Sequence, residues 1–178
     1  MQPPTDHEER WRELIRGIPD FPQPGILFRD ITPLLHDSDA LRTANDAMAE
    51  SAREMGATVI AGIEARGFIF GVPVAERLGL PFVPVRKPGK LPGDLESVTY
   101  DLEYGQDSLE LHRDPAVDGH RVVVVDDLLA TGGTAEATAK LVRAVGGEPA
   151  GFAFLVELSD LGGRERLEDV AVSSLVQY

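Results

Sequence analysis

Apolar and polar positions along the chain mark out a sequence of short elements. Asp6 to Ile18 has the pattern of a short helix, with Thr5 and Glu8 at capping-box spacing. Pro19, Pro22, Pro24 and Pro33 follow, and the expectation there is chain without regular structure. Leu41, Ala44, Met48, Ala52 and Met55 recur at helical spacing and Gly56 supplies a stop. Thr58-Val59-Ile60-Ala61-Gly62 predicts a strand, Phe68 to Leu78 a helix closed by Gly79, and Phe82 to Val85 a second short strand. Arg121-Val122-Val123-Val124-Val125 is the strongest buried-strand signal in the chain. Thr134 to Val145 then reads as a helix ended by Gly146-Gly147, and Ala150 to Leu158 and Ser173 to Val176 read as further strands. Strands alternating with helices predict an α/β fold, a doubly wound parallel sheet that binds ligands beyond the carboxyl ends of its strands.

One stretch breaks that rhythm. Lys87 to Arg113 holds Pro88, Gly89, Pro92, Gly93 and Gly105 with only short alternating runs around Tyr100 and Leu109, the pattern of a long hairpin excursion. Excursions of this length in a small domain serve as lids or binding loops more often than as connections.

Composition narrows the chemistry. A chain of 178 residues with 43% hydrophobic content can bury one core, and the expectation is a single domain over residues 1–178. It has no cysteine, which removes disulfides, thiolate zinc sites and thiol nucleophiles and is compatible with a reducing cytoplasm. No leader-like pattern opens the chain and no apolar run would span a bilayer, so the expectation is a soluble, untargeted, cytoplasmic protein without a membrane partner. A net charge of −13 argues against a nucleic-acid partner and makes the position of each basic residue informative. His7, His36, His112 and His120 are scattered without ligand spacing, so no protein metal site is expected.

The segment richest in chemistry is Val122-Val123-Val124-Val125-Asp126-Asp127-Leu128-Leu129-Ala130-Thr131-Gly132-Gly133-Thr134. A buried strand delivers two carboxylates to its end, and a glycine-rich turn then opens a helix. Gly132 and Gly133 let backbone approach a ligand closely, and the helix-start N–H groups with the Thr131 and Thr134 hydroxyls can surround a phosphate. No Walker lysine follows the glycines and GxGxxG is absent. Adjacent Asp126 and Asp127 suit the two hydroxyls of a ribose diol beside that phosphate.

This arrangement resembles the diphosphoribose-binding signature of the type I phosphoribosyltransferases. Phe21-Pro22-Gln23-Pro24-Gly25-Ile26-Leu27-Phe28-Arg29-Asp30-Ile31-Thr32-Pro33-Leu34-Leu35, Glu64-Ala65-Arg66-Gly67-Phe68, Val85-Arg86-Lys87-Pro88-Gly89-Lys90-Leu91-Pro92 and Tyr100-Asp101-Leu102-Glu103-Tyr104-Gly105 are similar, in order, to segments of the adenine-specific branch. The resemblance implies a parallel-sheet core with a small N-terminal hood (residues 1–35), a flexible lid hairpin (87–113) and a homodimer. It implies transfer of phosphoribose from 5-phosphoribosyl-1-diphosphate to adenine, with Mg2+ held through substrate oxygens rather than by a carboxylate cage.

It also implies roles. Ala130, Thr131, Gly132, Gly133 and Thr134 would hold the 5-phosphate, Asp126 and Asp127 the ribose, and Ala65, Arg66, Arg86, Lys87 and Lys90 the diphosphate. Glu103 and Tyr104 would reach the reacting centre from the lid, with Glu103 managing the purine proton and Arg66 aiding the leaving group. Leu27, Phe28 and Arg29 would read adenine. Two alternatives stay open at this point: a related enzyme acting on xanthine or another base, and a non-catalytic sensor of diphosphoribose.

Overall fold

The computed structural model describes residues 6–101, 105–113 and 116–178. The chain divides into two units, Met1–Asp46 and Ala47–Tyr178. The N-terminal unit holds helix α1 (Asp6–Leu14), strands β1 (Arg16–Pro19) and β2 (Leu27–Asp30), helix α2 (Thr32–His36) and the start of helix α3 (Ser38–Glu54). The α1 helix ends four residues before the expected Ile18 because Arg16 to Pro19 pair antiparallel with Leu27 to Asp30. The prolines therefore did not exclude regular structure. Pro19 sits at the last position of a two-stranded ribbon, where a missing N–H does no harm, and Pro33 lies in the first turn of α2, whose N–H groups need no intrahelical partner. Thr5, the expected cap of α1, lies outside the described residues. Within this unit Trp11 is buried and its indole N–H donates to Thr43 Oγ1 at 3.1 Å.

The second unit follows the α/β rhythm: β3 (Val59–Ile63), α4 (Gly67–Leu78), β4 (Phe82–Val85), β5 (Leu95–Asp101), β6 (Gln106–His112), β7 (Arg121–Leu129), α5 (Gly133–Ala144), β8 (Glu148–Glu157), two 3-10 turns (Ser159–Leu161 and Gly163–Leu167) and β9 (Ala171–Gln177). Five strands form a wholly parallel sheet in the order β4-β3-β7-β8-β9. From β3 the chain proceeds outward to β4 and later returns on the other side to β7, so the strand order reverses between β3 and β7. In open α/β sheets that reversal is where a crevice opens beyond the strand ends.

Alternation along the strands assigns the two faces. Val59, Ala61 and Ile63 of β3, Val122 and Val124 of β7, and Phe152 and Phe154 of β8 join one core cluster with Ala135, Leu141 and Val142 of α5. Gly62 points the other way, toward α4. A Cβ on Gly71 would stand 2.8 Å from the Phe82 ring and 3.4 Å from Gly62 Cα, so helix and strand meet there at a spacing only glycine permits.

The Lys87 to Arg113 excursion is the expected hairpin: β5 and β6 pair antiparallel, and Arg86 bridges to Glu110. Its root is built into the core, since Leu109 and Leu111 are buried in the cluster that contains α5.

Because Leu141 is fully buried, Leu141→Ala should destabilise the protein by about 2–5 kcal/mol. Lys140→Ala, on the exposed side of the same helix, should stay within about 0.5 kcal/mol. Urea unfolding of both variants checks which face α5 buries.

Candidate active site

The strand-order reversal is occupied by a cleft of about 350 Å³. Three segments that are far apart in sequence build it: the turn after β3, the end of β7 with the turn that opens α5, and the β5–β6 hairpin with Lys87 ahead of it. Ala65, Arg66, Lys87, Asp126, Asp127 and the whole Ala130–Thr134 turn line its wall. The N-termini of α4 and α5 both open onto it, so two sets of helix-start N–H groups add positive potential to a space suited to an anion.

The turn into α5 depends on Gly132, which takes a left-handed conformation with φ 82° as the residue preceding the helix. The two carboxylates stand on β7, which continues to Leu129 rather than stopping after Val125. Asp126 Oδ1 accepts the Asp127 N–H at 2.9 Å. Asp127 is 4% exposed, and its Oδ2 accepts Arg66 Nε at 2.7 Å. Burial pushes both acids above the ordinary carboxylate range. For Asp126 the neighbouring Asp127 charge adds to the effect, whereas Arg66 opposes it at Asp127.

Arg66 heads α4 directly after the Glu64–Ala65 peptide, which is cis. Gly67 follows, and a Cβ there would lie 2.7 Å from the Val125 carbonyl oxygen and 3.0 Å from Asp126 Oδ1. The absence of a side chain at Gly67 is thus what lets Arg66 stand beside the acid pair.

Charges pair on the opposite wall. Lys87 Nζ contacts Asp107 Oδ2 at 2.8 Å; that pairing raises the Lys87 pKa and lowers that of Asp107. Arg86 donates through Nε and Nη2 to the Glu64 carboxylate at 3.1 and 3.4 Å, and through Nη1 to the Lys90 carbonyl oxygen at 3.3 Å. Arg86 and Lys90 do not line the cleft. Thr134 Oγ1 donates to the Tyr100 hydroxyl at 3.3 Å, and Tyr100 in turn reaches Asp107 at 3.5 Å. Burial raises the Tyr100 pKa, which keeps the phenol a donor.

Glu64, Tyr100 and Asp107 line the cleft but were not among the residues singled out from sequence. The cross-strand register that sets Tyr100 opposite Asp107 was the available signal. Glu103 and Tyr104 lie outside the described residues. Leu27, Phe28 and Arg29 sit on β2 of the N-terminal unit; there Leu27 is exposed, and the Phe28 ring packs edge-on against Phe21 with centroids 5.1 Å apart. Among the described residues no group of three or more His, Asp or Glu could enclose a metal ion, and no helix is long and apolar enough to cross a membrane.

Residues 33–176 match the phosphoribosyl transferase domain. An adenine phosphoribosyltransferase from Clostridium perfringens is 58% identical over 167 residues, covering 94% of this chain and 97% of that protein. The crystal structure of adenine phosphoribosyltransferase from Thermoanaerobacter pseudethanolicus superposes with a TM-score of 0.92 at 51% identity, covering 96% of this chain and 99% of that one. The Saccharomyces cerevisiae enzyme, in complex with adenine and an imino-altritol bisphosphate, superposes with a TM-score of 0.89 at 37% identity, over 96% and 98% of the two chains. A parallel sheet that reverses at paired acids, with a glycine turn opening the next helix, thus coincides with sequence identity along nearly the full length, and the chain belongs to the adenine phosphoribosyltransferase family of type I phosphoribosyltransferases.

Proposed function

We propose that the cleft transfers the 5-phosphoribosyl group of 5-phosphoribosyl-1-diphosphate to adenine, giving AMP and diphosphate, a step of purine salvage. The observation that carries this reading is the convergence in one cleft of a phosphate-sized glycine turn, the half-buried Asp126 beside the buried Asp127, and Arg66 paired with Asp127. The Ala130–Thr134 turn holds the 5-phosphate through backbone N–H groups and hydroxyls, and Asp126 and Asp127 accept the ribose hydroxyls. As the anomeric bond breaks, positive charge grows on the sugar and negative charge on the leaving diphosphate. Carboxylates already in place favour the first, and Arg66, Lys87 and the N-terminus of α4, with Ala65, Arg86 and Lys90 beside them, favour the second.

The donor chemistry suits magnesium held mainly by substrate oxygens, with Asp126 and Asp127 as the protein groups available to it. When bound, the ion neutralises diphosphate charge. From the lid, Glu103 passes a proton to or from the purine ring nitrogen and Tyr104 helps exclude water. Leu27, Phe28 and Arg29 recognise adenine, whose amino edge presents the reverse donor–acceptor pattern to hypoxanthine or guanine. Residues 1–178 act as a single phosphoribosyltransferase domain, in the cytoplasm and as a homodimer. Exposed Ile69 and Val72 on α4 form an apolar strip suited to a second copy.

The decisive assay supplies diphosphoribose and magnesium with adenine, hypoxanthine, guanine, xanthine or orotate separately. AMP from adenine with little product from the others is the expected result. Product from another base would overturn the roles of Leu27, Phe28 and Arg29, while binding without turnover would leave only a sensor.

Asp126→Asn should lose activity yet gain stability. The folded-state pKa of Asp126 is raised, so between the ordinary carboxylate range and that raised value the native state holds more protons than the unfolded chain, and stability falls as the pH rises through this window. The variant should therefore melt at a higher temperature than wild type at pH 7. The gain should disappear as the pH falls to the ordinary carboxylate range, which calorimetric melting across pH would follow. Glu103→Gln should retain diphosphoribose binding and lower turnover by about 10²–10⁴-fold. Unchanged turnover in steady-state assays would remove Glu103 from the proton step.

A further inference from the structure

We propose that the 3-10 turn around Gly163 is a backstop for the 5-phosphate loop, held in position by the Glu157–Arg164 ion pair. The contact is between backbones. A Cβ on Gly132 would lie 2.5 Å from the Gly163 carbonyl oxygen and 3.1 Å from Gly163 Cα. In the other direction, a Cβ on Gly163 would stand 3.0 Å from the Gly132 nitrogen and would collide with the Ala130 carbonyl oxygen. The loop therefore has no room to retreat on that side, and its N–H groups stay aimed into the cleft.

Arg164, the next residue along, is what fixes the turn. Its Nε and Nη2 donate to the two Glu157 oxygens at 2.9 and 2.5 Å, and its Nη1 donates to the Val172 carbonyl oxygen at 2.8 Å. Glu157 is 4% exposed and ends β8, where the register sets it beside Leu129, the last residue of β7 before the loop begins. One guanidinium thus ties the turn to the end of β8 and to β9, and Gly163 transmits that fixed position to Ala130 and Gly132. Removing Arg164 leaves the buried Glu157 carboxylate uncompensated, so the turn should shift when the pair is broken. Glu157, Gly163 and Arg164 are positioning residues, since the loop stands between them and the phosphate.

The inference rests on Ala130–Thr134 being the 5-phosphate site, and the test separates the two. Steady-state kinetics with each substrate varied, and calorimetric titration with ribose 5-phosphate, would compare wild type with Gly163→Ala, Arg164→Ala, Arg164→Lys and Glu157→Gln. Asp160→Ala, exposed in the preceding turn, serves as control. Gly163→Ala and Arg164→Ala should raise the diphosphoribose KM and the ribose 5-phosphate Kd about 10- to 100-fold, with the adenine KM and kcat changing little. Arg164→Lys should fall between them and wild type, and the control should match wild type. If Arg164→Ala does not fold, Gly163→Ala carries the test, because it leaves the ion pair intact. Unchanged diphosphoribose KM and ribose 5-phosphate Kd in folded Gly163→Ala overturns the proposal. So does a parallel loss of kcat and of both substrate affinities, which would mark a general structural defect. A wild type that binds ribose 5-phosphate but forms no AMP would sink the enzymatic reading while the titration still decides this one.

Discussion

Holding two adjacent carboxylates away from bulk water is costly, and the cleft is arranged around the means of tolerating that cost. Asp126 accepts the main-chain N–H of its neighbour, and Asp127 accepts the Arg66 guanidinium. Arg66 can stand there because Gly67 leaves room against Val125 and Asp126. This links the turn after β3 to the end of β7, and the order of the sheet makes those two strands neighbours. The acid pair, the arginine, the glycine and the strand order thus form one constraint.

The same pairing of opposite charges recurs around the cleft. Arg66 stands on Asp127, Lys87 on Asp107 and Arg86 on Glu64. In a chain with a net charge of −13, the cations at and around the cleft are each stabilised by a neighbouring acid. An anion binding at Arg66 or Lys87 would have to compete with Asp127 or Asp107, so its affinity would report the difference between two sets of ion pairs rather than the strength of one.

How much was legible in the sequence followed the range of the interactions. The β7 strand, the α5 helix and the glycine turn between them were readable because valine runs, helical periodicity and glycine punctuation are local signals. The β1–β2 ribbon was missed because four prolines suggested irregular chain, whereas Pro19 closes a strand, Pro22 and Pro24 fall between the two strands and Pro33 lies in the first turn of α2. The site showed the same division. Ala130 to Thr134, Asp126, Asp127 and Arg66 lie within motifs, and the structure brings them to one cleft. Asp107 and Tyr100 depend on hairpin register, and the approach of Gly163 to Gly132 depends on packing between segments some thirty residues apart, which no window of sequence displays.

The hairpin is fastened to the core along both of its strands. Leu109 and Leu111 of β6 belong to the same buried cluster as α5, and Val98 and Tyr100 of β5 pack against it. Substitutions at these four positions are therefore judged by folding first, although Tyr100 also lines the cleft. A change at Tyr100 has to satisfy the core and the cleft at once, which leaves a lineage little freedom to vary that position.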